Sequence, residues 1–139
     1  MRGIRIVYLV LMTGIVAVAM SGCNRQAMAV MDLADALLDD RPDSAKVLLA
    51  QINPDRFLYP GRRARYTVLA TTARERTSRV SGSSEKNHHD TLLYNALDWF
   101  EKHPDRRPRD YMRALYYYGY RLFELKDSFS AIYYLTQAQ

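Results

Sequence analysis

Three stretches of this 139-residue chain hold residue types that do chemistry. His88-His89-Asp90 offers two imidazoles and a carboxylate, a donor set suited to a transition metal. Side chains of adjacent residues diverge, however, and no HExxH or CxxC pattern stands beside them. The stretch reads as a polar loop in which Asp90 caps the following helix. Ser81, Ser83 and Ser84 share that loop, where a nucleophile lacks a rigid support. Asp39-Asp40 and Asp43 form an acidic turn, with Asp43 read as the cap of the next helix. No glycine-rich phosphate loop is present. These residues point to no enzyme, no metal and no cofactor.

The single cysteine is a different case. Cys23 closes the run "MRGIRIVYLVLMTGIVAVAMSGC", in which Arg2 and Arg5 lead an apolar stretch from Ile6 to Met20. That stretch is about 15 residues, short of the ~20 a spanning helix needs, so it reads as a secretory signal. A short membrane anchor is the alternative. The Ser21-Gly22-Cys23 ending resembles a bacterial lipoprotein signal, with Met20 in place of the commonest leucine. The resemblance implies that residues 1–23 form the signal peptide, that the Cys23 thiol is acylated, and that the chain is cut before it. Stable anchoring follows from several acyl chains. Residues 24–139 would then hold no cysteine and no internal disulfide.

Without Arg2 and Arg5 the formal charge of +5 falls to about +3, since the leader carries no acid. Six arginines lie between Arg62 and Arg79, against Glu75 alone. An exported chain seldom meets nucleic acid, so no nucleic-acid partner is expected. A solvated helix face or a contact for an acidic partner explains the cluster better. Seven of the eleven tyrosines follow Pro108.

Helical spacing dominates the remainder. Residues 27–40 place Val30, Leu33, Ala34, Leu37 and Leu38 on one face. Residues 41–52 follow, with Pro42 early in the helix and Ala45, Leu48, Leu49 and Ile52 as the stripe. A third helix over 62–76 points Ala64, Val68, Leu69 and Ala73 inward, and 77–90 reads as a loop. A fourth begins near Asp90, with Leu92, Leu93, Ala96, Trp99 and Phe100 facing in, and stops at His103-Pro104. A fifth spans 108–126 and a sixth runs from about Ser128 to Gln139. The layout is all-α, in three helix pairs.

The pairs look related. Arg-Ala-x-Tyr occurs at 63–66 and at 113–116, fifty residues apart. Ala45, Leu49 and Ile52 share their spacing with Ala131, Leu135 and Ala138. In "ALYYYGYRLFELKDSFSAIYYLTQA", Leu115, Tyr118, Gly119 and Leu122 share one helix, Asp127 marks the turn, and Ala131, Leu135 and Ala138 share the next. This stretch resembles the tetratricopeptide repeat, best over 112–138 and least over 62–104. Residues 24–139 as a whole resemble the exported tetratricopeptide-repeat lipoproteins of Bacteroidetes.

The resemblance implies antiparallel helix pairs stacked as a short right-handed solenoid. Gly119 and Ala131 would form the close crossing, and Leu115, Leu122, Leu135, Ala45 and Leu49 would pack between helices. The first helix of each pair would line a concave groove. Arg113, Tyr116, Tyr120 and Glu124 would look into it, with Arg63, Tyr66 and Arg74 as counterparts in the preceding pair. Tyrosine and arginine are the usual anchors of binding surfaces. The expected function is a membrane-anchored interaction scaffold of the cell envelope, on the outer membrane facing the periplasm, for an unknown protein partner. A glycan- or small-ligand-binding lipoprotein and the sensor segment of a longer signalling protein are the alternatives. "AIYYLTQAQ" has no terminating glycine, proline or basic turn. The chain is therefore expected to continue past Gln139 or to self-associate there.

Overall fold

The computed structural model describes residues 25–81 and 90–139. The leader with Cys23, together with Ser83, Ser84, His88 and His89, lies outside them. The described residues form helices and no strand, an all-α architecture. Helix α1 covers 25–37. It is followed by α2 (Pro42–Ala50), α3 (Pro60–Ser81), α4 (Asp90–Glu101), α5 (Pro108–Glu124) and α6 (Ser128–Gln137).

Prolines mark the starts. Pro42 and Pro108 each sit in the first turn, where a missing N–H costs nothing. Pro54-Asp55-Arg56 and Pro104-Asp105-Arg106 each form one 3₁₀ turn after α2 and after α4. These two turns are also fifty residues apart, so the Arg-Ala-x-Tyr repeat belongs to a longer helix, turn, helix unit. Asp43 is not the cap of α2. Arg41 holds that position without a side-chain bond, and Asp43 sits one residue past Pro42, where its charge faces the helix dipole. Asp127 does cap α6, accepting from the Ser130 N–H at 3.2 Å.

The α5–α6 turn has a Schellman ending. The Asp127 N–H donates to the Leu122 carbonyl and the Lys126 N–H to the Phe123 carbonyl, both at 3.0 Å. Lys126 adopts the left-handed conformation this requires, with φ of 65°. Glycine usually fills that position because a Cβ there is strained.

Helix α3 is the centre of the molecule, packing on α2, α4 and α5. Its Leu69 and Ala73 join Met31, Ala34, Leu38, Ala45, Leu49, Ile52 and Phe57 in one core. Its Ala64 and Val68 join Leu93, Ala96, Leu97, Phe100, Ala114, Leu115 and Tyr117 in a second. Full burial of a side chain the size of Leu49 or Phe100 contributes roughly 1.5–3 kcal/mol. At the start of α3, Gly61 lies under the Trp99 indole. A Cβ there would sit 2.7 Å from Cη2, so no other residue fits without moving the ring.

Several expectations are corrected. Leu33 does not face inward; it is 53% exposed, and Met31 fills the core beside Ala34 and Leu38. Leu92 is also exposed, and Leu97 is buried with Leu93, Ala96 and Phe100. Each of these helices carries more apolar residues than one face holds, and only the side meeting neighbours is buried. The third helix continues to Ser81 instead of stopping at Arg76. Thr77 to Val80 contain no glycine or proline, and the Ser78 hydroxyl donates back to the Glu75 carbonyl. The fifth helix ends at Glu124, two residues early, because the Schellman turn takes the next positions.

The residues expected to pack between helices do so to differing degrees. Ala45, Leu49, Leu115, Gly119 and Ala131 are buried, while Leu122, Leu135 and Ala138 are partly covered. The close approach at Gly119 is met by Leu135 rather than Ala131. A Cβ on Gly119 would lie 2.9 Å from Leu135 Cγ and 3.1 Å from its backbone nitrogen.

Candidate binding surface

Helices α1, α3 and α5 come together through charge. Asp32 and Asp35 on α1 and Asp39 in the turn just after it recur at i, i+3 and i+7, forming one acidic edge. Opposite them stand Arg65 and Arg76 of α3 and Arg109 and Arg113 of α5. Arg65 is 3% exposed, and its guanidinium lies 2.7 Å from Asp32, 3.7 Å from Asp35 and 3.6 Å from Asp110. Arg113 donates to Asp35 at 2.6 Å and lies 3.5 Å from Asp110; Arg107 lies 3.9 Å from Asp110. Three arginines thus meet three aspartates. Arg65 Nε and Nη1 make no aligned hydrogen bond among the described residues, so charge rather than directed bonding holds this side chain. Burial pushes the Asp110 carboxyl above its ordinary value, and Arg65 and Arg113 pull against that rise. This cluster is structural: it sets the spacing of the three helices.

Beside it the surface opens. Asp39 is clasped by Arg76 at 2.6 Å and by Arg109 at 3.1 Å. The Arg76 hydrogen bond is the main cause holding its carboxyl below the usual range, against a smaller opposing effect of burial. Arg76 also donates to the Leu38 carbonyl at 3.0 Å, closing the C-terminal end of α1. Burial lowers the Arg76 guanidinium, and Tyr117 and Asp39 more than offset it. One turn on, Arg79 lies over the Tyr120 ring with Cζ 5.0 Å from its centroid. Hydrogen bonding to Tyr116 is the first cause raising the Arg79 guanidinium.

The tyrosines of α5 complete the surface. Tyr116 and Tyr120 are nearly parallel, with centroids 6.5 Å apart and planes at 13°. Tyr117 stands edge-on to Tyr116 at 5.1 Å and is buried in the second core. Tyr116 and Tyr120 stay partly open to solvent. The result is a platform of tyrosine faces with Arg76, Arg79 and Arg109 at its edge. After the Asp39 pairing it carries surplus positive charge. Such a surface offers planar contact, cation–π faces and charge-assisted donors, which is the chemistry of binding.

Of the residues expected at the groove, the structure brings Arg113, Tyr116 and Tyr120 to this side, with Arg113 occupied by Asp35 and Asp110. Glu124 follows one turn after Tyr120 and pairs with Arg121 at 2.8 Å. The α3 counterparts do not join them. Tyr66 turns toward the first core and packs on Phe57 at 6.3 Å. Arg74 is nine residues from Arg65, a half-turn at about 100° per residue, and pairs with Glu75. Arg63 is exposed on the same outer side. The repeat alignment that matched Arg63 with Arg113 and Tyr66 with Tyr116 holds in sequence but not in surroundings, because α3 is covered on more sides than α5.

Sequence reasoning missed Asp32, Asp35 and Asp110, and took Arg65, Arg76 and Arg79 only as members of the arginine cluster over 62–79. The aspartate stripe at i, i+3, i+7 was a readable signal for Asp32, Asp35 and Asp39. Arg79 falls in the stretch read as a loop, because the expected helix stops at Arg76, five residues short of Ser81. Among the described residues no group of three or more His, Cys, Asp or Glu side chains is arranged to hold a metal ion, and no helix is long and apolar enough to cross a membrane. No protein-family model matches the chain, and neither a curated protein nor a solved structure is similar to it.

Proposed function

We propose that this chain is an interaction scaffold that holds a segment of a partner protein on the Tyr116–Tyr120–Arg79 platform. The convergence of two open tyrosine rings and three arginines on one side of α1, α3 and α5 carries the reading. The helix order supports a tetratricopeptide-like solenoid: α3 packs on α2, α5 packs on both α3 and α4, and Gly119 permits a close pair with α6. In that arrangement the platform lies in the concave side formed by the first helices of the pairs. The surplus positive charge suits an acidic partner segment, and binding rather than catalysis is the proposed activity.

The platform is tested with Tyr116→Ala combined with Tyr120→Ala in the full chain, in a pull-down from detergent-solubilised envelope membranes. Capture should fall at least tenfold with helix content unchanged. Undiminished capture sinks the platform reading. The parallel Tyr116 and Tyr120 rings also favour a second reading, stacking of a sugar ring, and a glycan array distinguishes it. We further propose attachment to the outer membrane, facing the periplasm, through an acylated Cys23. Cys23→Ala should abolish acyl labelling, and unchanged labelling excludes this anchor.

A further inference from the structure

The platform already holds one acid of its own. Asp39 lies in the turn after α1, with its side chain 53% exposed. It gives one carboxylate oxygen to each of two arginines: Oδ1 accepts from Arg76 at 2.6 Å and Oδ2 from Arg109 at 3.1 Å. Both arginines are open to solvent as well, Arg109 by 63%. Ion pairs this exposed add little to stability, so Asp39 exchanges readily with water and other ions. The buried Arg65 cluster holds α1, α3 and α5 through Asp32, Asp35 and Asp110 instead.

Without Asp39 the two arginines fare differently. Arg76 keeps its bond to the Leu38 carbonyl at 3.0 Å, so its guanidinium stays in place. Arg109 has no other partner among the described residues, so its guanidinium is released. Arg109, Arg113, Tyr116 and Tyr120 recur at i, i+4, i+7 and i+11 along one face of α5. Arg109 therefore stands two turns, or about 10 Å, before Tyr116. An extended segment seated on the tyrosine faces spans that distance with about three residues. A carboxylate it carries there meets two guanidiniums that already receive one oxygen each from Asp39. We propose that a glutamate or aspartate carboxylate of the partner segment takes the place of Asp39 between Arg76 and Arg109, and that Asp39 is an internal competitor setting the affinity of the platform. This rests on the platform reading above, but different residues report on it.

The test titrates the full chain with a fluorescent hexaglutamate peptide, read by anisotropy with helix content monitored. Asp39→Asn should bind the peptide about threefold more tightly or better, the effect of one unit charge a few ångströms away in water. Asp40→Asn removes the same charge one residue on, at an exposed position that makes no ion pair among the described residues, and should gain clearly less. Adding Arg109→Gln to Asp39→Asn should cancel the gain, because the released guanidinium is gone. Equal gains in Asp39→Asn and Asp40→Asn mean that net charge alone governs binding, and overturn the exchange. An Asp39→Asn chain that binds no better than the parent overturns it too, as does a gain that survives Arg109→Gln. Asp39→Ser repeats the measurement if asparagine lowers helix content. The platform itself is judged by Tyr116→Ala with Tyr120→Ala. Loss of partner capture there, with no gain in Asp39→Asn, leaves the platform standing and removes only the exchange.

Discussion

Arg65 at the meeting of three helices gives the most demanding test of how this fold is held. Replacing it with methionine keeps most of the volume and removes the cation. Asp110, nearly fully buried, and Asp35 then lose their shared partner. Removing one member of a buried ion pair costs about 3–5 kcal/mol. Here the loss is smaller, because Arg113 and Arg107 still stand 3.5 and 3.9 Å from Asp110 and Asp32 is mostly solvated. We expect about 2–3 kcal/mol, or on the order of 10 °C in Tm. Adding Asp110→Leu should return at least half of that loss, since exchanging a whole buried pair for apolar residues is near neutral. The pH dependence has a definite sign. Burial already raises the Asp110 carboxyl above 3.8, and Arg65 is the first cause opposing that rise. In the window between 3.8 and the elevated value the folded state holds the extra proton, so this group's contribution to stability grows as pH falls. Without Arg65 the window widens upward. The deficit of Arg65→Met should therefore shrink between about pH 7 and about pH 4. Urea unfolding followed by far-UV circular dichroism measures all three effects. A deficit below about 1 kcal/mol, or a double variant less stable than the single, refutes the view that Arg65 compensates buried carboxylates.

Gly61→Ala places a methyl against the Trp99 ring and should cost about 1–3 kcal/mol in the same unfolding assay. Adding Trp99→Leu should make the alanine nearly neutral, and an unchanged penalty in that background means the ring is not the obstacle. Lys126→Gly should stabilise the chain by up to about 1 kcal/mol, because a left-handed non-glycine residue is strained by roughly that margin after the entropy of glycine is deducted. A lower Tm for this variant indicates that the Lys126 side chain does something the turn geometry does not show.

Much of the fold was open to reading from the chain. The positions of the helices follow from apolar spacing and from Pro42, Pro54, Pro104 and Pro108, since both are local properties of the backbone. Asp127 as a turn residue belongs to the same class. So does the shared face of Tyr116 and Tyr120, which spacing along one helix is enough to establish. None of these requires knowledge of another helix.

What tertiary structure alone decided is which of two eligible faces each helix buries, and which charges leave the surface. Met31 displaced Leu33, and Leu97 displaced Leu92, because α1 and α4 each present more than one apolar stripe and burial goes to the one that meets a neighbour. Arg65 and Asp110 look like ordinary solvated charges in sequence. They are buried because α1, α3 and α5 converge there, bringing Asp35 within 2.6 Å of Arg113 across 78 residues. Periodicity reports the faces of one helix. The pairing of charges between helices depends on how those helices cross, and that depends on the summed packing of both cores rather than on any single stretch of residues.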